Sequence, residues 1–221
     1  MLHTHSHSTS PAQTEGRLIR WASFYDGVVN LMTFGRAKRL RQMTIDLALI
    51  QPGETLLDVG CGTGGVTIPA KIRVGINGSA AGIDPAPEMI AVARRKAQRA
   101  GIEIDFRVGV IESLPFPDET FDVVTASMMM HHLPPHLQVQ GLAEIWRVLK
   151  PGGRILIADM MRPSKSFGKR VFSLLVQHGH ATQFGIEDLP KLLSEAKFDD
   201  VQQLESRFLT LGFVRAKKPA S

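Results

Sequence analysis

Short, mostly apolar runs alternate along this chain with longer stretches in which apolar side chains recur every third or fourth position. The runs at Thr55–Val59 and at 80–83, 104–108, 121–126 and 154–158 carry few solvent-facing residues, as expected of strands covered on both faces. Helical spacing fills the gaps between them. It spans 65–74, then 87–100, with Met89, Ile90, Ala93 and Ala97 on one face and Gly101 closing the end, then 136–149, stopped by Pro151-Gly152-Gly153. Strand followed by helix, repeated, predicts an α/β fold with a parallel, doubly wound sheet. Further helices are expected at 166–177 and 188–196, and last strands at 201–204 and 210–216. Upstream, Leu18, Trp21, Ala22 and Tyr25, then Met43, Leu47 and Ile50, give helical spacing within 16–50. Residues 1–15, rich in Ser, Thr and His, read as a disordered tail. One domain is therefore expected over 16–221, with a core at 53–160 and C-terminal helices and edge strands at 161–221.

The first strand runs into Asp58-Val59-Gly60-Cys61-Gly62-Thr63-Gly64-Gly65. A glycine-dense turn after a buried strand lets backbone approach a ligand, because glycine adopts the dihedrals required and puts no side chain in the way. A second acid, Asp84, ends the next strand, where a carboxylate can accept both hydroxyls of a ribose. Together they indicate a nucleoside cofactor, and two patterns fit. Gly60, Gly62 and Gly65 satisfy the G-x-G-x-x-G of dinucleotide binders, while Asp58, Gly60, Gly62 and Gly64 satisfy the D-x-G-x-G-x-G of S-adenosylmethionine (SAM) binders. An acid at the loop entrance suits the ammonium of SAM and would be awkward beside a pyrophosphate, so Asp58 favours SAM.

Further motifs follow in order. They are Tyr25-Asp26 with Leu31-Met32-Thr33-Phe34-Gly35, the loop itself, Gly82-Ile83-Asp84-Pro85, Glu112-Ser113-Leu114-Pro115-Phe116-Pro117-Asp118, Phe121-Asp122-Val123-Val124 and Arg147-Val148-Leu149-Lys150-Pro151-Gly152-Gly153-Arg154. On these motifs the chain resembles the class I SAM-dependent methyltransferases of the ubiquinone/menaquinone-biosynthesis type over about residues 20–160. The resemblance implies a Rossmann-like, mostly parallel seven-stranded sheet with an antiparallel C-terminal edge hairpin and an N-terminal helical lid. It implies SAM as cofactor and S-adenosylhomocysteine as product. Its cofactor site falls on Tyr25, Arg41, Asp58, Gly60, Gly62, Thr63, Gly64, Asp84, Pro85, Met89, Val110, Ile111 and Ser127, with Tyr25 and Arg41 in the lid over the methionine end. The chain departs from the family at two points. Val110 stands where the family carries the acid that holds the adenine amine, which leaves apolar contact to hold the base. His131-His132 replaces the Arg-Asn common in the quinone C-methyltransferases, and His131 becomes the candidate general base near neutral pH.

Charge and composition narrow the picture only modestly. The chain has 221 residues, a net charge of +5 and a single cysteine, Cys61, so no intramolecular disulfide forms and a cytoplasmic site is expected. No run reaches the length of a membrane span, and the N-terminus lacks the basic and apolar regions of a signal peptide. The alternating His3, His5 and His7 lack a supporting shell, so no metal site is expected. Basic clusters at residues 36–41, at 94–99 and at Lys217-Lys218 could attract anions, and the first abuts apolar Leu31, Met32 and Phe34, which leaves peripheral membrane contact open. Thr125-Ala126-Ser127-Met128 has no likeness to the Pro-Pro-Tyr run that clamps a target base in nucleic-acid methyltransferases. The reading is thus a methyltransferase acting on a small apolar, amphipathic or lipid-like acceptor, homo-oligomerisation being open. A SAM-binding partner without catalysis is the main alternative.

Overall fold

A computed structural model describes residues 14–16, 27, 30–31, 35–162, 184–206, 208 and 210–220. Tyr25, most of the tail and lid, and the helix expected at 166–177 lie outside the described residues. The elements in chain order are α1 (Ala37–Leu47), β1 (Thr55–Val59), α2 (Thr67–Val74), β2 (Ser79–Asp84), α3 (Pro87–Arg99), β3 (Asp105–Val108), β4 (Phe121–Ser127), α4 (Pro135–Val148), β5 (Leu149–Met160), α5 (Leu189–Glu195), β6 (Asp199–Leu204) and β7 (Leu211–Lys217). Two single 3-10 turns, Met130–His132 and Ile186–Asp188, precede α4 and α5.

The strands form one sheet in the order β3-β2-β1-β4-β5-β7-β6. The first five strands in sequence pair in parallel, and β7 runs antiparallel between β5 and β6, so the expected edge hairpin is present. The order reverses at β1, which pairs β2 on one side and β4 on the other. Such a switch point opens a crevice beyond the carboxyl ends of the strands. Alternate residues of each central strand feed opposite faces. Leu57, Val59, Val124, Ala126, Ile155 and Ile157 pack with Leu142 and Ile145 of α4. Leu56, Val123, Leu156 and Ala158 pack with Leu40 and Ile45 of α1 and Ala70 of α2.

β5 departs from the sequence reading. The strand was expected only from Arg154, after a Pro-Gly-Gly break, but the ladder begins at Leu149 opposite Phe121 and resumes at Val123 with Arg154. The break is accommodated as an irregularity inside the strand, with Gly152 at φ +76°. Lys218 also departs from its reading as a surface charge. It is buried, donates from Nζ to the Leu149 carbonyl at 2.8 Å and lies 4.0 Å from the Trp146 ring centre. No helix among the described residues is long and apolar enough to cross a membrane.

Candidate active site

The loop after β1 holds three glycines in left-handed conformations, Gly60 at φ +67°, Gly62 at +52° and Gly64 at +78°. This conformation is strained for any residue with a Cβ. Space is short as well. A Cβ on Gly60 would sit 2.9 Å from Met129 Cβ, so the loop and the chain after β4 meet here almost backbone to side chain. Two hydrogen bonds tie the loop to β2, from Cys61 N to the Ile83 carbonyl at 2.9 Å and from Gly62 N to Asp84 Oδ2 at 3.0 Å. Burial holds the Cys61 thiol well above its ordinary range, which removes it from thiolate chemistry.

The two acids read from the sequence have different surroundings. Asp58 is buried beneath the loop, where Thr125 Oγ1 donates to its Oδ1 at 2.8 Å and Thr67 Oγ1 to its Oδ2 at 2.6 Å. Asp84 accepts the Gly62 N–H on Oδ2 and the Ala86 N–H on Oδ1, the latter at 2.9 Å, and it also borders an open cleft. Burial pushes both carboxyls up to about 6, against hydrogen bonds that pull the other way. Asp58 therefore does not reach the cleft as the sequence reading expected. Both of its oxygens are engaged by hydroxyls that a small ligand could not displace without leaving those hydroxyls unpaired in the interior.

The cleft holds about 680 Å³ counted out to its open mouth. Its walls include Gly60 and Gly62 of the loop, Asp84, Pro85 and Met89 at the end of β2 and the start of α3, and Gly109, Val110, Ile111 and Glu112 after β3. The opposite wall is Met128, Met129, His132 and Leu133 after β4, with Thr14 and Gly16 from the N-terminal segment. Gly60, Gly62, Asp84, Pro85, Met89, Val110 and Ile111 are thus brought together around one space. Thr63 and Gly64 lie behind it: Thr63 accepts a hydrogen bond from Lys96 Nζ at 2.9 Å, and a Cβ on Gly64 would lie 3.1 Å from the Phe106 ring. Ser127 closes β4 beside Ala158, outside the lining. Arg41 of α1 lies against the loop from the lid side, since a Cβ on Gly65 would come 2.7 Å from its Nε.

The histidine pair is arranged differently from the expectation too. His132, not His131, lines the cleft. His131 is held from behind. Its Nδ1 lies 2.5 Å from Oδ1 of the buried Asp159, whose Oδ2 also accepts the His131 N–H at 3.2 Å, and the two imidazoles are 3.9 Å apart between ring centres. Sequence reasoning missed the pairing because Asp159 is 28 positions away, and adjacent positions in a 3-10 turn carry no face signal. It also missed Glu112 as a lining residue. Met128, at φ +59°, carries a conformation that a residue with a Cβ rarely adopts, which fits a segment bent to serve a cleft.

The profile of the family described as "Methyltransferase domain" matches residues 56–153. Demethylmenaquinone methyltransferase of Thermus thermophilus is 37% identical over 145 residues, 65% of this chain and 64% of that protein. The ubiquinone/menaquinone biosynthesis C-methyltransferase UbiE of Escherichia fergusonii is 33% identical over 165 residues, 72% of this chain and 65% of that protein. The chain therefore spans somewhat less than two thirds of the length of these relatives. Among solved structures, a SAM-dependent methyltransferase from Aquifex aeolicus superposes with a TM-score of 0.69 at 22% identity, covering 89% of this chain and 96% of the other, which shows the shared fold.

Proposed function

We propose that the chain is a class I SAM-dependent methyltransferase, related to the demethylmenaquinone enzymes it resembles, and that it methylates a small, ring-bearing, quinone-precursor-like acceptor at the cleft beside β1. The observation that carries the proposal is the opening of Asp84 and the glycine loop onto the same space as a methionine-rich wall. The cofactor fits the residues present. Asp84 has acceptor capacity left beyond its two backbone bonds, suited to the hydroxyls of a ribose. The left-handed glycines bring bare backbone to the cleft, and Met89 and Pro85 offer apolar surface to a base.

Bound SAM would supply an electrophilic methyl group on a sulfonium. The chain's own contribution is alignment and the exclusion of water, which can account for about 7–11 kcal/mol of such a barrier. Met128, Met129 and Leu133 form an adaptable apolar wall against which a flat acceptor can lie. His132 is the imidazole placed to take a proton if the acceptor must lose one, while Asp159 orients its neighbour His131.

A lipid-like acceptor drawn from an anionic membrane surface in the cytoplasm is the finer version of this reading. Leu31 is 78% exposed and is followed closely in sequence by the exposed Arg36, Lys38 and Arg39, a combination suited to peripheral contact. The test is calorimetry with SAM, S-adenosylhomocysteine and NAD, followed by methyl transfer to a panel of hydroxylated aromatic acceptors with and without anionic vesicles. Binding of SAM with no turnover on any acceptor would favour the non-catalytic alternative. Binding of NAD in its place would remove the proposal.

A further inference from the structure

We propose that Gln138 is a positioning residue for methyl transfer, fixing the turn that carries His132 to the cleft, an inference resting on the reading of His132 as the group that takes the acceptor's proton. The buried side of α4 runs through positions 138, 141, 142, 145 and 148 at helical spacing, and Gln138 is the one polar side chain in that stripe. A position only 3% exposed normally takes an apolar side chain, because a buried amide costs stability unless its donors are paired. Here both donors are paired. Gln138 Nε2 donates to the Met130 carbonyl at 3.2 Å and to the Leu133 carbonyl at 3.1 Å. Those two carbonyls flank His131 and His132, so one amide group spans the histidine pair.

The sheet holds the same turn from β5. Asp159 is buried there and accepts the His131 N–H on Oδ2 at 3.2 Å, while its Oδ1 lies 2.5 Å from His131 Nδ1 and accepts the Met160 N–H at 2.7 Å. The fully buried Met130 side chain adds an apolar anchor in the core. Within the turn, the His132 and Leu133 N–H groups donate to the Met129 and Met130 carbonyls at 3.0 and 3.1 Å. The backbone on both sides of His132 is thereby fixed while His132 lines the cleft. A single 3-10 turn has little stiffness of its own, since its hydrogen bonds are poor in geometry. Rigid support matters here, because displacing a reacting group by about 1 Å costs on the order of a hundredfold in rate. An apolar side chain at 138 would complete the stripe but brace neither carbonyl, so the amide serves the turn and not the core.

The test is a double-variant cycle on methyl transfer from SAM to two hydroxylated aromatic probes, naphthalene-1,4-diol and catechol. Gln138→Met, which keeps the length of the side chain and removes both donors, is expected to lower kcat at least about tenfold and to leave the KM for SAM within about twofold. His132→Gln is expected to lower kcat about a hundredfold. The double variant is expected to be no slower than His132→Gln alone, because the brace has no effect without the imidazole it places. Losses that multiply in the double variant would overturn the inference, since Gln138 would then support the fold at large. So would unchanged kcat in a folded Gln138→Met chain or in the His132→Gln chain. Gln138→Leu, taken through the same cycle, keeps it readable should Gln138→Met fail to fold. An unmodified chain that binds S-adenosylhomocysteine and methylates neither probe would overturn the reading of His132, and one that does not bind it would overturn the SAM reading beneath both.

Discussion

The floor beneath the glycine loop and the rim above it each centre on an aspartate of neighbouring parallel strands, Asp58 in β1 and Asp84 at the end of β2. Burial raises both carboxyls to about 6. Their partners differ. Asp58 receives two threonine hydroxyls from α2 and β4 and is closed off, so it joins three elements under the loop. Asp84 receives two backbone N–H groups from its own surroundings and keeps a side open to the cleft. The same residue type, with the same titration range, is closed off where hydroxyls of two other elements reach it, Thr67 adding its backbone N–H, and keeps a side open to the cleft where only backbone groups meet it.

The largest effect should come from breaking the floor. Asp58→Ala orphans the Thr67 and Thr125 hydroxyls inside the protein and is expected to cost about 2–4 kcal/mol of stability, taking each buried unpaired hydroxyl at about 1–3 kcal/mol. Denaturant unfolding near pH 5, where the carboxyl is protonated and its own burial costs least, measures it. A stable Asp58→Ala chain with lost SAM affinity would erase the distinction between floor and rim, because Asp58 would then be serving the cofactor.

At the rim the order reverses. Asp84→Ala is expected to lower the affinity for S-adenosylhomocysteine by more than tenfold, from the roughly 1.5–3 kcal/mol of charge-assisted bonds to the ribose, with little change in the melting temperature of the ligand-free chain. Calorimetry and thermal melting on one preparation separate the two quantities.

Acidity sharpens the comparison further. Because burial raises both acids from 3.8 to about 6, the folded chain holds more protons than the unfolded chain between those values. Stability of the ligand-free protein should accordingly rise as pH falls from 7 towards 5. Cofactor affinity should move the opposite way through about 6, since a protonated Asp84 loses acceptor capacity for the ribose. Parallel trends in the two measurements would show that Asp84 does not meet the ligand as a carboxylate.

The smallest expected effect concerns residue 110. Val110→Asp would place a carboxyl on a stretch of the cleft wall that offers no acceptor, and is expected to tighten S-adenosylhomocysteine binding by about 1 kcal/mol, the worth of one net hydrogen bond, as read by calorimetry with the melting temperature taken alongside.

Legibility in the sequence followed how local each signal was. The strands from β1 to β4 and their helices were read to within a residue or two, because continuous apolar runs and three-to-four spacing are imposed by local geometry and by burial on both sheet faces. Gly60, Gly62 and Asp84 were legible for the same reason, since a left-handed turn and a strand-end carboxyl are announced by residue type. The surroundings of Asp58 were not legible. Its identity marks the loop entrance, but its direction depends on Thr67 and Thr125, and Thr125 is 67 positions away. The surroundings of His131 were hidden likewise, its Nδ1 lying against Asp159 while its neighbour His132 lines the cleft. The start of β5 was misjudged because Pro151 and Gly152 signal a break, while the pairing of Leu149 with Phe121 was strong enough to carry the ladder across it.

The sequence by itself determined the sheet's alternation of strand and helix, the glycine turn and the acid that ends β2, because each follows from conformational preferences of a few adjacent residues. Only the tertiary structure decided which acid borders the cleft and which of two adjacent histidines does so. Those outcomes depend on which groups from distant parts of the chain meet each side chain. A side chain's availability is set by the hydrogen bonds it has already made, and these are decided when the core closes.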